Sequence, residues 1–110
     1  MAAHAARPSL AKRFKGERVR GMLTDIECMD KGVALSVKVG DRTLRLHAAE
    51  LRSVFFVTYV MGLERTVTCG ARAGQNLVVL TYRSASDPSA RFDGEAIAIE
   101  FVPEDIDIEP

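Results

Sequence analysis

The chain has 110 residues, one domain's worth, with 47 % hydrophobic and 27 % charged residues. That balance excludes a wholly disordered or low-complexity chain. No run of large apolar residues exceeds four, as in Val54-Phe55-Phe56-Val57, far short of a membrane-spanning helix. Fifteen basic and fifteen acidic residues cancel formally, but unevenly along the chain. Residues 1–20 hold six basic side chains against Glu17, and residues 93–110 hold seven acidic ones and no basic ones. A basic head and an acidic tail read as two solvated ends.

Residues 1–17 read as a basic arm or linker. Pro8 breaks any helix before it, and Leu10 and Phe14 are the arm's apolar anchors. No charged n-region with a following apolar stretch marks a secretory signal. The expectation for a complete chain is a soluble, cytoplasmic protein.

From residue 18 the apolar period becomes two. Val, Ile and Thr number 11, 5 and 6, and nearly all lie after position 18. That is strand composition. No proline falls between Pro8 and Pro88, so no proline interrupts a sheet there. The first run, 18–28, places Val19, Gly21 and Leu23 on one face, then shifts phase to Ile26 and Cys28. A slip at Thr24-Asp25 predicts a β-bulge that bends a long strand.

Next comes the best-specified element. Val33, Leu35, Val37 and Val39 alternate with Ala34, Ser36 and Lys38, and Gly40-Asp41 has the type II′ turn pattern. Pairing Val39 with Arg42 sets Val37 opposite Leu44 and Leu35 opposite Leu46. Ser36, Lys38, Thr43, Arg45 and His47 then share a solvated face.

Residues 48–53 read as a corner with one helical turn. Residues 54–60 are apolar on both faces, which predicts a central or doubly covered strand. A short strand is expected at 66–69, a loop at 70–76, a strand at 77–83 and a polar loop at 84–94. The last strand, 95–102, sets Ile97, Ile99 and Phe101 inward and Ala98 and Glu100 outward, and Pro103 stops it. The tail 104–110 is acidic. Two isoleucines bury too little to order it by apolar contact alone. Order there would need backbone pairing or the basic head, so both ends are expected to be mobile.

About seven short strands at this spacing predict an all-β fold. The bent first strand and the compact meander favour a small antiparallel barrel, OB-like, over 18–103, with a β-sandwich as the alternative.

Several segments together carry a likeness. Gly21-Met22-Leu23-Thr24-Asp25-Ile26-Glu27-Cys28, Leu44-Arg45-Leu46, Thr68-Cys69-Gly70, Val79-Leu80-Thr81-Tyr82-Arg83 and Asp93-Gly94-Glu95 with Ile99-Glu100-Phe101 occur in this order. The stretch 18–103 resembles an accessory β-domain at the C-terminus of bacterial, notably acidobacterial, tetratricopeptide-repeat proteins. The resemblance implies a module beside a repeat scaffold and brings no assigned activity. This chain has no 34-residue helical repeat of its own.

Cys28 and Cys69 admit two readings, one bridge or two buried thiols placed inward. Both belong to segments that carry the likeness, and both lie beside strand ends. They are expected on neighbouring strands, close enough to bridge in an oxidising compartment.

Catalytic chemistry finds no support. The histidines are His4 in the head and His47 on the hairpin, and neither shares a face with an inward cysteine. No CxxC pair or other short ligand spacing favours a metal, and Asp87, Asp93 and Glu95 lack the spacing of a calcium loop. No phosphate-binding glycine loop opens a helix. No cofactor, metal or catalytic residue is expected.

The candidate binding surface is Lys38, Arg42, Arg45 and His47, extended by Arg72 and Arg83. Single-stranded nucleic acid is one partner for such a surface. No aromatic is expected on the hairpin's exposed face, and the neutral charge weighs against a polyanion. The favoured reading is a non-enzymatic protein-interaction domain, using an edge strand or loop, with a repeat scaffold or its own parent chain as partner. No membrane contact is expected.

Overall fold

A computed structural model describes residues 9–60, 68–71, 76–87, 90–104 and 106–108. The elements are β1 (Ser9–Leu10), β2 (Glu17–Met29), β3 (Gly32–Val39), β4 (Arg42–Ala48), a 3-10 turn (Leu51–Ser53), β5 (Phe55–Thr58), β6 (Gly70–Ala71), β7 (Leu77–Ser84), β8 (Gly94–Phe101) and β9 (Asp107–Ile108). No helix among the described residues is long and apolar enough to cross a membrane.

Five strands close a barrel, because β2 pairs with β3 on one side and with β7 on the other. Around it the order is β2, β3, β4, β8, β7. The seam between β4 and β8 is parallel and the other seams are antiparallel, so the expected antiparallel barrel is corrected to a mixed one. β2 is long enough to serve two neighbours because it bends. Its register with β3 shifts between Leu23 and Asp25, where the sequence placed the bulge.

The hairpin has the expected register. Val39 faces Arg42, Val37 faces Leu44 and Leu35 faces Leu46. Gly40 takes φ +60, a conformation a side chain would resist, which suits the first residue of a type II′ turn. Val37, Leu35 and Leu46 are fully buried with Leu23, Ile26, Val78, Leu80 and Ile99. Each such side chain contributes roughly 1.5–3 kcal/mol relative to exposure.

The outer wall of β7 and β8 is buried too. Leu10, Val79, Val102 and Ile106 form a second apolar cluster, with Leu77 and Ile108 against it. β1 and β9 pair in parallel, Ser9 with Asp107 and Leu10 with Ile108. Arg18 Nη2 donates to the carbonyl of Leu10 at 3.1 Å. Arg20 Nη2 donates to the carbonyl of Ile106. The described parts of both ends therefore dock, where the sequence predicted mobility. They do so through the two sources of order that apolar contact lacked, backbone pairing and the basic head.

This covered wall corrects three further expectations. Residues 55–58 are not a central strand: β5 pairs only with β8, in parallel, and Phe55 is 59 % exposed. The segment is apolar on both faces because Phe56 packs on the core while Phe55 stacks on Phe14, ring centroids 5.2 Å apart. Glu100 points outward from the barrel as expected, yet it is not solvated: its exposure is 0 %. Tyr59 Oη donates to Glu100 Oε2 at 3.2 Å and accepts from Arg13 Nη1 at 2.8 Å. That bond, and then attraction to Tyr59 and Glu100, raises the Arg13 guanidinium above its ordinary pKa. Ile97 is not a core residue of the alternating run. Thr81 pairs with Ala98 and Tyr82 with Ala96, so Ile97 is the extra residue of a bulge and Ala96 takes the inward position.

Of the strand expected at 66–69, positions 66 and 67 lie outside the described residues. The paired segment here is β6, where Gly70 faces Ile26 and Ala71 faces Asp25.

Candidate functional site

Alternation along β4 turns Leu44 and Leu46 inward and leaves Thr43, Arg45 and His47 on the outer side. The loop between β7 and β8 then folds back over this side. Asp93 fixes it there: its N–H donates to the Arg45 carbonyl at 2.8 Å, and its Oδ2 accepts from the Arg45 N–H at 2.8 Å. These two bonds continue the parallel seam that Leu46–Gly94 and His47–Glu95 begin.

With Asp93 held, Phe92 lies over the hairpin. The Arg45 guanidinium carbon is 5.3 Å from the Phe92 ring centroid, a cation–π distance. The His47 ring is 5.1 Å away at 44°. The expectation of a face without an aromatic is therefore corrected. Phe92 is distant from the hairpin in sequence and reaches it only because the loop returns. Its signal was its position, the single aromatic of a polar loop, directly before Asp93-Gly94.

Three of the predicted surface residues meet a carboxyl group. Arg45 Nη2 is 2.5 Å from Glu27 Oε1, His47 Nδ1 is 2.9 Å from Glu95 Oε1, and Arg42 Nη2 is 3.8 Å from Asp93 Oδ1. All are exposed or half-exposed, so each adds little stability. Their effect is on the potential: the face is mixed rather than positive. Gly32 makes room for the imidazole, since a Cβ there would lie 2.7 Å from His47 Nε2 and φ is +102.

Arg83 sits opposite Glu95 on β7. It joins His47 around a groove of about 520 Å³ that also takes in Ser84, Ser86, Arg91 and Phe92. Arg91 was missed by the sequence reading, having no periodic pattern around it. Lys38 is exposed on β3, near the hairpin turn, and does not line this groove. Arg72 lies outside the described residues.

Cys28 and Cys69 form a disulfide with Cα atoms 5.6 Å apart. They are close as expected, but they are exposed and not buried. Cys28 has the inward phase of Ile26, but it lies at the strand's end beside exposed Met29 and Asp30, where the wall opens to solvent. Among the described residues no group of three His, Cys, Asp or Glu side chains is placed to hold a metal ion.

No family model, curated protein or solved structure matches the chain.

Proposed function

We propose that this domain is a non-enzymatic protein-interaction module that binds through the β3–β4 face and the overlying segment 91–93. One observation carries the reading. Arg42, Arg45 and His47 each face a carboxylate at the surface, and Phe92 lies among them. A mixed-charge surface around an aromatic suits a protein partner, where an aromatic anchor is ringed by polar groups. A phosphate track needs cations not already matched by acids. The resemblance to an accessory domain of tetratricopeptide-repeat proteins supports the same reading and nominates a repeat scaffold, or the parent chain, as partner. The disulfide further supports an oxidising compartment over a cytoplasmic one, because bridges persist there.

A photo-reactive residue in place of Phe92, introduced in the native host, tests this. The expected result is a discrete adduct with a repeat protein or the parent chain, and a much smaller yield from the same probe at Asp41. Equal yields at both positions, or no adduct, would overturn it.

Single-stranded nucleic acid remains the second reading, favoured by Phe92 as a stacking ring beside Arg83 and Arg91 at the groove.

A further inference from the structure

Where β7 ends its pairing with β2, β6 takes over. Leu77 faces Met22, and beyond it Ala71 and Gly70 face Asp25 and Ile26. β6 is thus a two-residue cover on the β2 edge, on the side away from β3. The barrel closes without it, through β2, β3, β4, β8 and β7 alone.

Little besides the disulfide holds that cover. Among the described residues β6 pairs only with β2. Thr68, Cys69 and Gly70 are exposed, so none of the three buries a side chain. Backbone pairing of two residues returns a net gain no larger than the entropy lost in fixing them. Gly70 gives up more freedom than any other residue type would. Its immediate neighbour Cys69 is bonded to Cys28, which follows Ile26 by two positions on β2. The bridge therefore supplies the order that the pairing lacks.

A reductant can reach this bridge. Both cysteines are exposed. A groove of about 600 Å³ between the β2–β3 turn and residues 47–51 opens on Cys28. Exposed disulfides are the labile, regulatory kind.

We propose that Cys28–Cys69 is a redox latch. A dithiol reductant opens it, β6 leaves β2, and the edge at Asp25 and Ile26 is uncovered while the barrel stays closed. One thiolate of the reductant attacks Cys28 Sγ, and the S–S bond breaks with its electron pair on Cys69. The second thiolate attacks the mixed disulfide and releases Cys28. The protein gains two electrons and, as both thiolates are protonated, two protons. The reductant leaves as its own disulfide. The latch is independent of what the β3–β4 face binds.

Nuclear magnetic resonance of the full chain tests this, with and without dithiothreitol and without denaturant. The bridged chain should show cross-strand contacts between Asp25 and Ala71 and between Ile26 and Gly70. Reduction should abolish both and move Gly70 and Ala71 to random-coil chemical shifts. Val37 and Leu80, each flanked by two barrel strands, should keep native shifts. Cys28→Ser with Cys69→Ser should show the open pattern without reductant, and reoxidation of the wild type should restore the closed one. Cross-strand contacts that survive reduction overturn the latch, as does their absence from the bridged chain. So does a bridge that dithiothreitol leaves intact. Loss of the native shifts of Val37 and Leu80 on reduction overturns it too, since the bridge would then staple the whole fold.

Discussion

Replacing Leu46 by Ala tests the hairpin register and the barrel seam together. Leu46 has 0 % exposure, faces Leu35 across one ladder and Gly94 across the parallel one. The substitution deletes three carbon atoms from a packed site. Lost transfer alone costs about 2.4 kcal/mol at roughly 0.8 kcal/mol per carbon. Incomplete collapse of the cavity brings the total to about 3–4 kcal/mol. For a domain near this size, a midpoint shift of roughly 4 °C per kcal/mol lowers the melting temperature by about 12–16 °C. The adjacent Arg45→Ala is the control. Its side chain lies on the outer face, and its pair with Glu27 is exposed on both sides. It should cost no more than about 1 kcal/mol. Urea unfolding with an unchanged m-value is the assay. A slip of one residue exchanges the two faces, so comparable losses from both variants, or a loss below about 1 kcal/mol for Leu46→Ala, would refute the register.

Tyr59→Phe removes the hydrogen bond to Glu100 Oε2 and leaves a fully buried carboxylate without it. A loss of about 1.5–3 kcal/mol is expected in the same urea assay, and a neutral result would contradict the packing of that wall. Cys28→Ser with Cys69→Ser opens a loop with a sequence separation of 41. Chain entropy puts the loss at about 4 kcal/mol, the top of the typical range of about 2–4 kcal/mol, read by denaturation with and without reductant on the wild type. Gly32→Ala meets φ +102 and a Cβ 2.7 Å from the Ala48 carbonyl, so calorimetry should show a lowered melting temperature. A melting temperature equal to the wild type would contradict that geometry.

The elements legible in the sequence are those whose determinants are local. The β3–β4 hairpin needed only alternation and a glycine at the turn, and the bulge in β2 needed only a phase slip. Glu100, β5 and the two ends were misread for one common reason. Their environment is set by chain far away in sequence: Arg13 and Phe14 cover β5, and Leu10 and Ile106 cover β7 and β8. Alternation predicts which way a side chain points, not what lies on the far side. Glu100 does point away from the core, yet a second layer buries it. Ile97 was misassigned because a bulge leaves no mark when both neighbours are alanine. Of the candidate site, Arg42, Arg45 and His47 were found from alternation and Arg83 from its strand. Phe92, Arg91 and the acidic partners were not found, because a loop return clamped by Asp93 cannot be read from period.

The most direct test of the interaction reading is the salt dependence of binding to a fluorescently labelled single-stranded oligonucleotide, followed by anisotropy. Phosphate contacts release counterions, so a nucleic-acid face shows log K falling with log salt at a slope near −0.7 per contact. With Arg42, Arg45 and His47 each facing an acid, the account expects no binding at about 0.15 M salt, the physiological value. At low salt it expects a slope shallower than about −1. Tight binding at that salt, with a slope of about −3 or steeper that Phe92→Ala weakens, would contradict it and make the β3–β4 face a nucleic-acid surface.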